Sequence, residues 1–184
     1  LYNRSGRASL VTDFGCSTRP EGPTTAIRGP VLTYTGDAFL EGTESTMHYE
    51  SDAIVAMCDG KITHFGPARK VLAKLPPKAK IKEYGKDNLI MAGFIDCHVH
   101  YPQTQIIGAF GEQLIDWLNK YTFVAEQQFA KKAHARAVAK VFLKESLRAG
   151  TTTPMAYCTV HPQSVDAYFE EASALNMRTI AGKV

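Results

Sequence analysis

Two histidines, His98 and His100, end an apolar run in the middle of the chain, in the stretch GFIDCHVH at residues 93–100. Side chains alternate across a β-strand, so residues i and i+2 lie on the same face. Imidazole is the commonest protein ligand for zinc and similar metals. If the apolar run is a strand, the pattern predicts two metal ligands side by side at its carboxyl end, with Cys97 and Val99 on the opposite face.

The remaining histidines are weaker candidates for the further ligands that a catalytic zinc needs, which are at least one more protein group and a water. His134 lies among Lys and Arg residues on a predicted solvated helix face. His48 and His64 belong to an earlier β-rich segment. His161 follows the next predicted strand, where a local role in the loop is favoured over a place at the same edge. We therefore predict a metal site that these residues do not complete.

The elements that must position His98 and His100 alternate between strands and helices from residue 89 onward. The run LIMAGFIDCHV indicates a strand that is buried on both faces. A short amphipathic helix is predicted over 112–123, strands over 151–160 and 177–184, and a helix over 162–176. This order predicts parallel strands with right-handed crossovers. In (β/α) barrels the active site forms at the carboxyl ends of such strands, which is where the two histidines lie.

One long helix is predicted between the first two of these strands, over 125–150. Gly150 stands where a glycine that terminates a helix belongs. The predicted helix carries one apolar stripe, with Val138 and Phe142 beside it. The residues of this stripe are Phe129, Ala133, Ala137 and Val141.

Residues 25–88 have a different pattern, which indicates a small β-rich unit with one helix. Two apolar runs surround Asp59-Gly60, a strong hairpin signal. Strands are predicted over 25–34 and 79–85, and a short helix opens at Pro67. Residues 1–24 form a tail of uncertain origin, without the apolar core of a signal peptide.

Composition excludes several classes of protein. The net charge is only +3 and the basic residues are scattered, so no nucleic-acid partner is predicted. No run of about 18 apolar residues is present, so no membrane span is predicted. Four cysteines occur without a CxxC pair, and Cys58 and Cys97 lie in apolar runs. We expect buried free thiols and hence a reducing, cytoplasmic location.

Several stretches together resemble the guanine deaminases of the amidohydrolase superfamily: GFIDCHVHYPQT, GAFGEQLIDWLNKYTF, LRAGTTT and TVHPQSVDAYFEEASALNMRTIAGKV. The HxH pair after GFID is general to the superfamily, whereas YPQT and GAFGEQL…WLNKYTF are more specific. Ala92 departs from the proline that usually stands there. The resemblance implies an α/β fold. Residues 25–88 would form the amino-terminal part of a composite β-sandwich, and 89–184 the first three units of a truncated metal-dependent hydrolase (β/α)₈ barrel of the TIM type.

The function implied by the resemblance is hydrolytic deamination of guanine to xanthine and ammonia, a reaction on the C–N bond of a cyclic amidine. One zinc ion would be held by His98 and His100 together with later ligands. The acid/base Glu and Asp are expected beyond Val184, so no catalytic acid or base is assigned within the chain. Gln103 would contact guanine. Trp117 would help to wall the pocket, although helix packing explains a lone tryptophan equally well.

Other interpretations stay open at the level of sequence. The chain also fits another amidohydrolase, such as a cytosine or triazine deaminase or a chlorohydrolase, or a truncated remnant without function. The 184 residues by themselves are expected to be inactive. The expected partners are guanine and water, with no nucleic acid and no membrane. Relatives of this type are often homodimers, but no feature of the sequence indicates an oligomeric state.

Overall fold

Two compact units make up the chain, and they divide between Ala92 and Gly93. The computed structural model describes residues 24–111 and 113–184. The predicted tail, apart from Thr24, lies outside the described residues, and so does Cys16. The sequence placed its division at residue 88, whereas residues 89–92 belong to the first unit, in which Ile90 forms a β-bridge with Val31.

The first unit is built on a four-stranded mixed sheet with the order β3-β2-β1-β4. Its strands are β1 (Thr25–Tyr34), β2 (Met47–Cys58), β3 (Lys61–Pro67) and β4 (Lys80–Glu83). Three short helices lie in the connections: α1 (Ala38–Glu41), α2 (Thr43–Thr46) and α3 (Ala68–Val71), the last continued by a 3₁₀ turn, Leu72–Lys74. The strands predicted over 25–34 and 79–85 are confirmed, as β1 and β4. The first three strands pair antiparallel, and β4 pairs parallel with β1.

The turn between β2 and β3 confirms the predicted hairpin. Asp59 has φ +50° and Gly60 has φ +73°. Positive φ at both central residues is typical of the type I′ turn, whose twist matches that of paired strands. The hairpin brings small and branched side chains of β1, β2 and α3 into one core, which contains Ala26, Ile54, Ala56, Ala68 and Val71.

The second unit contains a three-stranded parallel sheet with the order β5-β6-β7. Its strands are β5 (Phe94–His100), β6 (Thr151–Tyr157) and β7 (Ile180–Gly182). Its helices are α4 (Leu114–Trp117), a π-helical turn (Leu118–Thr122), α5 (Phe123–Gln127), α6 (Lys132–Arg148) and α7 (Pro162–Ala174), with 3₁₀ turns at Tyr101–Ile106 and Gln128–Ala130. The predicted β-α-β-α-β order with parallel strands is confirmed. Among the described residues, no helix combines the length and apolar character needed to cross a bilayer.

The single long helix predicted over 125–150 is wrong at its amino-terminal end. Lys131 has an extended backbone, with φ −91° and ψ 107°, so α6 begins only at Lys132. The predicted apolar stripe is also wrong, because Ala133, Ala137 and Val141 are exposed. The helix is rich in alanine on two faces, and the larger Phe142 and Leu143 decide which face packs. The residues that α6 buries are Ala135, Val138, Ala139, Phe142 and Leu143.

The prediction that the first long parallel strand is buried on both faces is also wrong for the described residues. Phe94 and Ile95 of β5 are 53% and 69% exposed. One face of the sheet packs against α6 and α7 through Val99, Ala156 and Cys158, and β5 lies at the sheet edge. Cys97 is exposed, which corrects its predicted burial, whereas Cys58 and Cys158 are buried.

Gly150 precedes β6 and Pro154 lies inside it. Gly150 has φ +89° directly after α6, as its predicted role at the helix end requires. Pro154 lies inside the central strand, where its missing N–H is normally unfavourable. It pairs with Asp96, and the β5–β6 register shifts directly after that pair. Such an irregularity is where a sheet tolerates proline.

Candidate metal centre

His98 and His100 occupy the carboxyl end of β5, and their rings point to the same side of the sheet. The ring centroids are 5.3 Å apart. The β5–β6 register shifts between Asp96 and Val99, and the two imidazoles nevertheless come together at one end of the parallel sheet.

The environment of His100 favours the neutral imidazole. His100 is partly buried, and burial, followed by the neighbouring His98, lowers its pKa below the ordinary 6.5. Burial disfavours the charged form because it removes water, and a second imidazolium would repel the first. A metal binds the neutral ring, so the effect on the pKa points in the direction that ligation needs.

The residue after His100 anchors the strand end to α7. Tyr101 is fully buried, and its hydroxyl donates a 2.7 Å hydrogen bond to the Ser164 carbonyl. Its ring packs edge-on against Phe129, with the centroids 5.4 Å apart. The Ser164 hydroxyl in turn donates to the His161 carbonyl at 2.7 Å. These bonds fix the backbone on which His100 stands.

Gln103 lies in the 3₁₀ turn that follows β5, and His100 is the N-cap of that turn. Gln103 is partly buried. Its amide offers both donor and acceptor atoms. Its role toward a substrate stays a prediction.

Trp117 makes a local contact. Its indole N–H donates a 2.9 Å hydrogen bond to the Ala109 carbonyl. A Cβ at Gly111 would lie 2.5 Å from the Trp117 Cβ, so the tryptophan packs directly on this glycine. Trp117 therefore closes the loop after the 3₁₀ turn. Its role toward a substrate stays a prediction.

The other histidines of the second unit do not join the pair. His134 is partly buried, and its Nε2 hydrogen-bonds the Gln105 side-chain oxygen at 2.9 Å. The buried Nε2 of His161 has no hydrogen-bond partner in the part of the chain that the structure describes. Within residues 24–111 and 113–184, no group of three or more His, Cys, Asp or Glu side chains is arranged to hold a metal ion.

Comparison with known proteins assigns the chain that carries these two histidines to a family. The profile of the Amidohydrolase family matches residues 89–184, which is more than half of the chain. The chain belongs to the amidohydrolase family. Its second unit, Gly93–Val184, with the HxH pair on the first parallel strand, lies entirely within the matched residues.

Two guanine deaminases are among the proteins that this amidohydrolase chain resembles. The guanine deaminase of Escherichia coli (strain K12) is 44% identical over 140 residues, which cover 76% of the chain and 32% of the relative. A solved structure of E. coli guanine deaminase superposes with a TM-score of 0.81, at 41% identity over 86% of this chain and 37% of the other. The guanine deaminase of Bradyrhizobium japonicum gives 0.80, at 39% identity over 87% of this chain and 35% of the other. The chain thus spans about a third of the length of these relatives.

A more distant structure shares the fold alone. A variant of atrazine chlorohydrolase from Arthrobacter aurescens, solved with zinc, superposes with a TM-score of 0.59 at 20% identity, over 86% of this chain and 35% of the other. With these neighbours, the mixed α/β content of the chain is that of the amidohydrolase fold.

The amidohydrolase family implies a divalent metal ion, and the donors of this chain fit part of its coordination. Two imidazoles 5.3 Å apart between ring centroids are close enough to reach one ion. The lowered pKa of His100 favours the form that binds metal. The described residues supply two nitrogen ligands and no third donor beside them.

Proposed function

We propose that this chain is the amino-terminal part of a metal-dependent guanine deaminase, which hydrolyses guanine to xanthine and ammonia. The observation that carries the proposal is the pair of imidazoles at the carboxyl end of β5, in a chain 44% identical to a guanine deaminase. The YPQT stretch that continues from the pair supports guanine over other substrates. The activity belongs to a whole protein that supplies the remaining ligands and the acid/base Glu and Asp.

The same proposal extends to architecture. The parallel β5-β6-β7 sheet with α6 and α7 on one face would be the first three units of a (β/α)₈ barrel. The four-stranded sheet of the first unit would be the amino-terminal part of a composite β-sandwich. Support comes from the parallel order of the second sheet and from the exposed apolar residues on its uncovered face, which include Ile95 and Ile180.

His98 and His100 would hold the divalent metal, for which zinc is the expected ion. When bound, the metal activates water for hydrolysis at neutral pH. Within this chain, His98 and His100 offer neutral imidazole nitrogens, and Tyr101 holds the backbone of the second ligand through its bond to Ser164. Their task is binding and orientation, because the described residues bring no proton-transferring carboxylate to the pair.

Gln103 would recognise the purine edge. Guanine presents donors and acceptors side by side, and an amide offers both. Its place in the 3₁₀ turn directly after β5, three residues from His100, supports a position near substrate held at the metal. Trp117 would help to enclose the pocket by holding the loop at Ala109.

The proposal includes the assembly of the protein and its location in the cell. A homodimer is implied by resemblance to the guanine deaminases, and light scattering of the whole protein tests it. A cytoplasmic location is predicted from the absence of CxxC pairs in the sequence. Cell fractionation tests that prediction.

Substitution of the histidine pair tests the proposal. In the whole protein, His98→Ala and His100→Ala should each abolish ammonia release from guanine, because each removes a metal ligand. Each should also lower the amount of metal retained after dialysis. His48→Ala, in the first unit, is the matched control and should retain both metal and turnover.

Turnover near the parent level with a full metal load in either variant would contradict the metal assignment. Ammonia release from cytosine or a triazine in preference to guanine would replace guanine deaminase by another amidohydrolase activity. A reading frame that stops at Val184 would favour the interpretation as a truncated remnant without function.

A further inference from the structure

Three aromatic rings meet at the end of the parallel sheet. Tyr157 of β6 is the register partner of His100 in β5. The two rings stack at an interplanar angle of 18°, with their centroids 4.7 Å apart. The Tyr157 ring also lies 4.8 Å from the ring of His98, tilted by 49°. With 5.3 Å between the two imidazoles, the three centroids form a compact triangle.

The hydrophobic core of the unit does not account for a tyrosine at this position. Ala156 and Cys158, on either side of it in sequence, are 3% and 0% exposed and pack toward the helices. Tyr157 points to the opposite face and is 37% exposed. The core of the unit therefore packs through its two neighbours. The Tyr157 ring instead contacts the rings of the two histidines.

A ring in this place limits where both imidazoles can go. A histidine side chain on a strand chooses among staggered χ1 rotamers and turns broadly about χ2. Tyr157 fills the space on the β6 side of both rings, and its flat face stacks on that of His100. Orientations that turn either imidazole toward β6 are blocked. Hydrogen-bonded groups that orient metal ligands commonly alter metal affinity 10- to 100-fold when they are removed, and we expect a stacked ring to act at the lower end of that range.

We propose that Tyr157 is a positioning residue for the two histidine ligands, and that it acts through its aromatic ring. This proposal rests on the proposed function only in that His98 and His100 bind the metal. The ring holds both imidazoles ready before the ion arrives, so less side-chain freedom is lost on binding. Stacking needs the ring and not the hydroxyl, so phenylalanine should replace tyrosine here.

The test is metal affinity of the whole protein in its metal-free form, measured by zinc titration against a chromophoric chelator. Tyr157→Leu should bind zinc about 10-fold more weakly than the parent. Tyr157→Phe should stay within about 2-fold of the parent, because it keeps the stacked ring. Tyr49→Leu, an exposed tyrosine on β2 of the first unit, is the matched control and should not change the affinity. The visible spectrum of the cobalt-substituted protein should change in Tyr157→Leu and not in Tyr157→Phe.

Equal affinity of parent and Tyr157→Leu, in samples with the same thermal midpoint, would overturn the proposal. An equal loss of affinity in Tyr157→Phe and Tyr157→Leu would also overturn it, since the hydroxyl would then be responsible. Tyr157→Met supplies a second variant without a ring if Tyr157→Leu does not fold. None of these measurements uses guanine, so a failure of the proposed substrate leaves the result on Tyr157 intact.

Discussion

The strand end that carries His100 is held from two sides. Behind it, the buried Tyr101 ring packs on Phe129 and its hydroxyl reaches α7. On the open face, Tyr157 stacks on the imidazole itself. A residue at the end of a β-strand normally has few constraints. Here Tyr101, which follows His100, restricts its backbone and Tyr157 beside it restricts its ring, as the proposed role of presenting one nitrogen to an ion requires.

The part played by Tyr157 was not found from the sequence, although a signal for it exists. The HxH pair is visible because the two ligands are two residues apart on one strand. Tyr157 is 57 positions away from His100 in the chain, and only the parallel register joins them. An aromatic residue at an outward position near the end of the next strand is the pattern that would have pointed to it. The histidine pair was predicted from local spacing, whereas its support depends on strand pairing.

Gln103 provides the test of substrate recognition. In the whole protein, Gln103→Ala should weaken guanine binding while metal content stays unchanged. Loss of hydrogen bonds to the substrate should cost about 1–3 kcal/mol, a loss of roughly 5- to 150-fold in kcat/KM. Steady-state kinetics with guanine and metal analysis check the result. Gln127→Ala, an exposed glutamine of α5, is the control. Unchanged kinetic constants for Gln103→Ala would remove this residue from the site.

At the scale of elements, the features that depend on local residue types were predicted correctly. The features that depend on tertiary packing were not. The Asp59-Gly60 turn and the helix end at Gly150 both need positive φ, and these needs are visible in the residue types. The buried face of α6 was missed because two apolar stripes compete on an alanine-rich helix, and packing against β6 selects the one with Phe142. The break at Lys131 was missed because residues 125–150 contain no internal proline or glycine.

The close approach of β5 to β6 gives a second test, at Gly93. A methyl group there would lie 2.2 Å from a Thr152 methyl and 2.8 Å from its Cβ, so the strands must move apart. Gly93→Ala should lower the free energy of unfolding by about 1–3 kcal/mol, as overpacking does. Urea unfolding followed by circular dichroism measures it. At Gly85 a methyl group would meet nothing within 4 Å, so Gly85→Ala should cause no loss. Equal stability of the two variants would contradict the tight contact.

At the scale of the whole molecule, each of the two units has its own exposed apolar surface. In the first unit, an apolar cavity of about 440 Å³ is open on one face of the four-stranded sheet, lined by residues that include Val31, Val55 and Phe65. In the second unit, Ile95 and Met155 are exposed on β5 and β6. Large apolar surfaces of this kind usually mark contact with further protein. The composite β-sandwich and the closed barrel of the proposed architecture would cover both.

The 184 residues expressed alone should release no ammonia from guanine, should bind zinc weakly and should associate. Two imidazoles lack the third protein ligand of a catalytic site, and the described residues add none. The exposed apolar side chains of the sheet and the short edge strand β7 offer surfaces on which other chains can pair. Ammonia assays, metal analysis after dialysis and light scattering make the test, with the whole protein purified in parallel as the control. A monodisperse monomer with one tightly held metal and measurable turnover would mean that a complete site lies within these residues.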